Sequence, residues 1–422
     1  MKPLLLSAAD LAGGAARSAH RLHVGLRQAG IDSRMLVQYR ASDDATILGP
    51  TGIREQVHAR LARHLDRVPL AVRRKRPLSA WSTQWLANPV ASRALALDVD
   101  LLHLHWVGAG FVPIALLRRF AGPVVWTMHD MWPLTGGCHY DDGCERYRER
   151  CGNCPILSSR RDTDLSRRVW RRKDRQWRDV DITVVSPSRW LADCARRSSL
   201  FGRRRVEVIP YGLPLDRYRP VAKAVARDIL GLPQDRRLIA FGAIGGTSDR
   251  RKGYHLLVSA LHRVAARCSV SSALVVFGAS AQPHSQDFSF PSYFLGHLHD
   301  DVTLALVYSA ADVFVAPSTQ DNLPNTVIEA SACGTPCVGF AVGGLPDLVE
   351  HRESGYLARP LEVEDLAHGV QLLLESPSLS AAWGARARAR AVADHSLQRQ
   401  AERYIALYGE LLGSDLPEKG GA

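Results

Sequence analysis

The 422-residue chain contains no apolar run near the ~18 residues that a membrane-spanning helix requires. Its opening Met1-Lys2-Pro3-Leu4-Leu5-Leu6 is interrupted by Ser7 and Asp10, too short for the apolar core of a secretory leader. It reads instead as a first strand, and a cytoplasmic location is expected. No internal repeat occurs, and no low-complexity segment beyond the Lys419-Gly420-Gly421-Ala422 tail. Neither a complete Walker phosphate loop nor a complete dinucleotide fingerprint is present. What remains is an ordinary globular composition, 46% hydrophobic and 23% charged with a mean hydropathy of −0.11, which excludes wholesale disorder and fibrous repeats. At ~150 residues per domain the length suggests two or three domains.

Acidic residues are scarce in one half only. Residues 1–210 hold 35 Lys and Arg against 20 Asp and Glu, a balance of +15, whereas residues 211–422 hold 19 against 22, or −3. The asymmetry implies that the first half meets something anionic, or that it reflects solubility alone. No recognised nucleic-acid motif accompanies the charge, so no nucleic-acid partner is expected. An anionic membrane surface or a phosphate-bearing acceptor fits the charge equally well. The candidate contact is Arg54 to Arg76. Val57, Leu61, Leu65 and Val68 recur there at helical spacing among Arg60, Arg63 and Arg67, ahead of Arg73-Arg74-Lys75-Arg76. Such a helix lies on a bilayer or forms a domain's outer layer.

Four of the eight cysteines, Cys138, Cys144, Cys151 and Cys154, fall within 17 residues. In a cytosolic chain this cluster favours a closed structural zinc site over disulfides, a redox pair or unlinked thiols, although five residues separate the first two.

Short apolar runs alternate with helical patterns throughout. In the first half the strand-like runs include Leu4-Leu5-Leu6, Leu101 to His105, Val124 to Thr127, Ile182 to Val185 and Val206 to Ile209. In the second half they are Leu238 to Phe241, Ala273 to Phe277, Val313 to Val315 and Pro336 to Phe340. Alternation of this kind implies an α/β chain with two parallel sheets, joined near Ile209-Pro210-Tyr211-Gly212-Leu213-Pro214. A ligand is then expected at the carboxyl ends of the strands, in a cleft between the domains.

The most informative stretch is Ala316 to Pro336. A strand ends near Ala316, a loop carries Asp321, and a helix starts near Asn325 and Thr326. Free backbone N–H groups at that helix start suit a diphosphate. Asp321 and Glu329 can both project toward one ligand, and carboxylates accept hydrogen bonds from sugar hydroxyls. Upstream, the glycine-rich Phe241 to Gly246 leads to Arg250-Arg251-Lys252-Gly253, cations suited to phosphate oxygens.

With Asp321, seven intervening residues, Glu329 and Ala330-Ser331-Ala332-Cys333-Gly334-Thr335-Pro336, the second half resembles the nucleotide-sugar domain of glycosyltransferase family 4. Lys252-Gly253, Val342-Gly343-Gly344 and Gly355-Tyr356-Leu357 match further signatures. The resemblance spans roughly residues 1–412. It implies the GT-B fold, two Rossmann-like parallel-sheet domains facing across a cleft, with a C-terminal helix returning toward the N-terminal domain. The boundaries it suggests are 1–208 for an acceptor domain with a Cys-rich insertion at 138–154, 209–220 for a hinge, 221–390 for the donor domain and 391–422 for the last helix and tail.

Carried over residue by residue, the resemblance assigns the donor ribose to Glu329, the diphosphate to Lys252 and the donor sugar to Asp321, while the helix start offers Asn325 and Thr326 to the donor. Asp321 stands where the family commonly has Glu. The family's usual Arg after the glycine turn is missing around Ala243, so Arg250 or Arg251 is expected to supply that charge. Gly13 and Gly14 match the family's glycine loop after the first strand, where backbone approaches donor phosphate. His129, in Thr127-Met128-His129-Asp130, matches the imidazole that meets the donor sugar. His129 and Asp321 are thus the expected catalytic pair. The run His129 to Tyr140, with the cysteines and His103-Leu104-His105-Trp106, resembles the branch containing colanic-acid-type exopolysaccharide transferases. Asp98-Val99-Asp100 precedes a strand and reads as strand-edge punctuation. No catalytic metal is expected, leaving-group charge falling on cations and the helix start.

The expected activity is transfer of a sugar from a nucleotide-diphosphate donor to an acceptor hydroxyl, with retention implied by the resemblance. The acceptor is a saccharide, a lipid-linked saccharide or a small secondary metabolite, met in the cytoplasm or at the inner face of the membrane. A nucleotide-sugar epimerase and a zinc-stabilised binding protein with a decayed site are the alternatives.

Overall fold

The computed structural model describes residues 1–71, 80–242, 249–278, 289–298 and 300–413. They form two compact units, Met1–Gly212 together with the residues from Gln398 onward, and Leu213–Leu397. No helix among the described residues is long and apolar enough to cross a membrane.

The first unit is built on β1 (Pro3–Ala9), β2 (Arg34–Tyr39), β3 (Ile47–Leu48), β4 (Leu101–Leu104), β5 (Val124–Thr127), β6 (Ile182–Ser186) and β7 (Val206–Val208). Their order is β3-β2-β1-β4-β5-β6-β7, and the pairings are parallel. Register aligns Leu4 with Leu102, Leu102 with Val124 and Val124 with Ile182. Leu4, Leu102, Val124 and Ile182 join one apolar cluster, while Leu5, Leu101, Val125 and Val185 join the other. Both faces of the sheet are covered, which is why these strands read as unbroken apolar runs. Each such side chain contributes roughly 1.5–3 kcal/mol by leaving water.

One cover is the helix Leu397–Leu412, whose Ala401, Tyr404, Leu407 and Tyr408 pack with Leu5, Leu22 and Val125. The Tyr404 hydroxyl lies 2.6 Å from Thr127 Oγ1, and the Tyr408 hydroxyl 2.6 Å from His103 Nδ1. These phenols satisfy polar groups on β4 and β5 that the core would otherwise strand. Ahead of the helix Leu397–Leu412 in the chain runs the helix Pro377–Asp394.

The second unit uses β8 (Arg237–Gly242), β9 (Ser272–Phe277), β10 (Ser292–Phe294), β11 (Val313–Ala316), β12 (Cys337–Phe340) and β13 (Gly355–Ala358). The order is β10-β9-β8-β11-β12-β13, again with parallel pairings. The helices Tyr254–Arg267 and Val363–Glu375 pack Leu257, Leu261, Leu366 and Val370 on one face with Ile239, Val313 and Val338. Just before β11, buried Asp312 accepts from Lys223, Arg227 and the Leu238 backbone at 2.6–2.8 Å, tying a helix and β8 to the strand that leads into the candidate site.

In each parallel sheet the carboxyl ends of the strands share an edge. On the first lie Gly13 after β1, His105 after β4 and His129 after β5. On the second lie the loops after β11 and β12.

Candidate functional site

In the second unit, β11 delivers the chain to Pro317, and the loop to Pro324 carries Asp321 before the helix Asn325–Ala332 begins. The Arg250–Lys252 turn lies against this loop, with the Thr319 amide donating to the Arg251 carbonyl at 2.8 Å. Lys252 Nζ donates to Asp321 Oδ2 at 2.6 Å, and Arg251 Nη1 stands 3.5 Å from the same oxygen and donates to the Gln320 carbonyl at 2.8 Å. Burial pushes the Asp321 carboxyl upward, but Lys252 and Arg251 outweigh it and hold the group at about 2. Asp321 is therefore an anion at neutral pH, and two cations are gathered beside the helix start.

Two glycines make this approach fit. Gly253 has φ +74° and Gly343 has φ +57°; a Cβ at the first would overlap the Pro317 carbonyl and at the second the Asp321 carbonyl. The Gly344 amide donates to the Asp321 carbonyl at 3.0 Å. Asn325 and Thr326, half-buried, form the first turn of the helix. Glu329, one turn in, is buried, and the Tyr308 hydroxyl donates to its Oε2 at 2.8 Å. Asp321, Arg251, Lys252 and the helix carrying Asn325, Thr326 and Glu329 thus converge on one sheet edge. The glycine turn at Ala243 to Gly246 lies outside the described residues. Tyr308 escaped the sequence reading because a Tyr on an apolar helix looks like core; lying 21 residues before Glu329, it left no local signal.

In the first unit, Gly13 has φ +96° and caps the helix Gly14–Gln28. Nearby Asp10 accepts from the Ala41 and Ser42 amides and shapes the same edge. His129 is half-buried, with Nδ1 2.7 Å from the Tyr211 hydroxyl and Nε2 3.0 Å from His105 Nδ1. Burial lowers its pKa to about 4 against a small opposing pull from Asp130, so the ring is neutral at pH 7. Asp130 itself accepts from Trp106 Nε1 at 2.8 Å and lies 2.7 Å from His139 Nδ1, while His139 Nε2 is 3.0 Å from Ser82 Oγ. Asp98 accepts from Lys2 Nζ and Asp100 from the Lys2 amide at 2.6 and 2.7 Å, fastening the chain start to the edge of β4.

Cys138, Cys144, Cys151 and Cys154 are all unlinked, and burial pushes each thiol upward, toward the protonated form. Among the described residues no group of three His, Cys, Asp or Glu side chains is arranged to hold a metal ion. The loop is tied by Lys173, fully buried, whose Nζ donates to the Thr135 carbonyl at 2.9 Å and to the Trp132 carbonyl, and sits 3.6 Å from the Trp132 ring centre.

The helix Ile53–Asp66 buries Ala59, Ala62 and Asp66. Ile53, Val57, Leu61 and Val68 are exposed, 80% for Ile53 and 48% for each of the others, with Arg54, Arg60, Arg63 and Arg67 also exposed. Residues Arg73 to Arg76 lie outside the described residues.

Two parallel-sheet α/β units in one chain are the architecture of the GT-B fold. Residues 12–217 match the family described as Glycosyltransferase Family 4, and residues 236–376 match Glycosyl transferases group 1. The chain belongs to this glycosyltransferase family. A D-inositol 3-phosphate glycosyltransferase from Catenulispora acidiphila is 32% identical over 68% of the chain and 65% of its own length. One from Thermobispora bispora is 27% identical over 74% of the chain and 71% of its own. The chain thus spans just under two thirds of the first of these relatives. Sucrose-phosphate synthase from Thermosynechococcus elongatus superposes with a TM-score of 0.68 at 23% identity, covering 98% of the chain and 100% of its own. HepE from Anabaena, solved with UDP-glucose, gives 0.66 at 17% identity over 97% and 100%. At these identities the likeness speaks for the fold.

Proposed function

We propose that the chain transfers a sugar from a nucleotide-diphosphate donor to an acceptor hydroxyl, with retention at the anomeric carbon. The observation that carries this reading is the Lys252–Asp321 contact beside the Asn325–Ala332 helix start, with Glu329 one turn in. The donor diphosphate takes Lys252, Arg251 and the amides at Asn325 and Thr326. Its ribose hydroxyls meet Glu329, and its sugar meets Asp321. Charge developing on the leaving group is stabilised by these preorganised donors. Attack then proceeds from the face the diphosphate leaves, and the diphosphate takes the acceptor proton. On the first unit's own strand edge, the family resemblance supports reading Gly13 and Gly14 as backbone that admits a phosphate and His129, neutral and fixed, as an imidazole that meets a sugar.

The acceptor reading is coarser: a saccharide, free or lipid-linked, as in exopolysaccharide assembly, or a small polar molecule. Relatives named for D-inositol 3-phosphate make a phosphorylated polyol one acceptor to assay. The exposed Ile53, Val57, Leu61 and Val68, rimmed by arginines, support work at an anionic membrane surface.

A thermal-shift panel of UDP, GDP and ADP tests the donor site. The cognate nucleotide at a hundredfold excess over its dissociation constant stabilises by ~2.7 kcal/mol, and Glu329→Ala abolishes the shift. No shift with any of them, or an equal shift in the variant, defeats the reading. Donor turnover that needs no acceptor and leaves an epimerised sugar would point to an epimerase instead.

A further inference from the structure

Strand β4 runs directly into His105, β5 reaches His129 two residues past its end, and the chain beyond β7 reaches Tyr211. Their side chains meet in one line. His105 Nδ1 is 3.0 Å from His129 Nε2, and His129 Nδ1 is 2.7 Å from the Tyr211 hydroxyl. The Tyr211 and His129 rings are within 14° of parallel. Behind His105 sits His103, ring centres 4.2 Å apart, itself held by Tyr408 and Thr127. His105 and Tyr211 are buried, 3% and 6% exposed. Both ring nitrogens of His129 are therefore engaged inside its own unit, a fact that no motif announces.

Heavy atoms alone leave two proton arrangements. In the first, His129 Nε2–H donates to His105, which then carries its own proton on Nε2. That atom is buried and has no hydrogen-bond partner among the described residues. In the second, His105 Nδ1–H donates to His129, and the unpartnered atom is a bare lone pair. A buried N–H without an acceptor is the rarer and costlier orphan. The second arrangement wins. It places a proton on Nδ1 of each ring, and His129 donates to the phenol oxygen.

We propose that His105 and Tyr211 are positioning residues that lock His129 in its neutral Nδ1–H tautomer, with a fixed ring plane, for the transfer step. The tautomer half stands on geometry alone, and the transfer half rests on the reading of His129 as the sugar-facing imidazole. A neutral ring with its dipole fixed in advance needs no reorganisation when charge builds on the donor sugar.

Nitrogen-15 NMR on the full chain labelled at histidine reads the tautomer directly. The expected result is one Nδ1–H form for His129 in wild type, and a mixed population in Tyr211→Phe and in His105→Asn, with melting temperatures close to wild type in at least the first. In transfer assays Tyr211→Phe lowers kcat roughly tenfold or more while donor KM stays within about threefold. A wild-type His129 in the Nε2–H form, or a tautomer unmoved in both variants, overturns the lock. Full activity of Tyr211→Phe beside an inactive His129→Ala overturns the positioning role and leaves the sugar-facing reading intact. Full activity of His129→Ala sinks that reading and the transfer half with it, while the tautomer measurement stands by itself.

Discussion

The Lys252 ammonium lies 2.6 Å from a carboxylate oxygen of Asp321, across 69 residues of chain. Each partner is mostly shielded from water, 21% and 13% exposed at the side chain. Removing Lys252 leaves the buried carboxylate to Arg251 alone, and removing Asp321 leaves the ammonium without its carboxylate. Lys252→Ala is expected to lower kcat/KM roughly a hundredfold, because the diphosphate loses its main cation. Lys252→Arg recovers part of the loss. Steady-state kinetics at saturating acceptor check this, and a variant with unaltered kcat/KM would contradict the assignment.

Tyr308 acts on the site through Glu329. Burial raises its phenol pKa well above the ordinary value, so the hydroxyl stays a donor to the carboxylate. Tyr308→Phe removes one hydrogen bond to a charged group, worth about 1.5–3 kcal/mol. The expected result is a donor KM raised roughly tenfold with kcat little changed, read from initial rates over a donor series.

Gly343 is a structural stop beside Asp321. Its φ of +57° and the overlap a Cβ would make with the Asp321 carbonyl mean that Gly343→Ala must displace the loop that carries the carboxylate. A loss of about 2–4 kcal/mol in unfolding free energy is expected, together with a larger loss of nucleotide affinity than Gly231→Ala produces, since a Cβ at Gly231 meets open space. Denaturant melts and nucleotide titrations compare the two.

Acid should weaken the first unit before it weakens ordinary surface groups. Burial lowers the pKa of His23 and His129 to about 4, and holds those of His103 and His105 well below the ordinary value. The unfolded chain binds these protons from about pH 6.5 downward, and the folded chain refuses them until about pH 4. Stability is therefore present above pH 6.5 and lost as pH falls, by up to ~1.4 kcal/mol per pH unit for each such histidine within that window. His23→Gln should flatten the slope of melting temperature against pH; an unchanged slope would mean that His23 titrates normally.

The exposed stripe Ile53, Val57, Leu61 and Val68 predicts sedimentation with vesicles containing phosphatidylglycerol. The double change Val57→Asp and Leu61→Asp should abolish it without altering the melting temperature, because neither side chain is buried. Binding by wild type at low salt that persists in the double variant would assign the contact to charge elsewhere.

Much of this was legible in the chain itself. The unbroken apolar runs of β1, β4, β5 and β6 mark strands covered on both faces, and the Asp321–Glu329 spacing across a loop and a helix start was readable because both residues lie within one supersecondary unit. The helix start expected near Asn325 and Thr326 falls at Asn325. The strand β2 passed unnoticed, since Arg34 and Gln38 break its apolar run and it is its place between β1 and β3 that buries it. The loop's left-handed residues Asp142, Glu145, Cys151 and Asn153 turn the chain between the four cysteines, a conformation that residue spacing does not announce.

Sequence alone determined the two parallel sheets, the charge asymmetry and the Arg250–Lys252 run of cations, because each depends on neighbours in the chain or on composition summed over it. Tertiary structure decided who holds whom: Tyr308 on Glu329, Tyr211 and His105 on His129, Tyr408 on His103 across 305 residues. A hydrogen bond is made between atoms within about 3 Å, and residues so far apart in the chain are brought that close only when strand order and helix packing have been chosen.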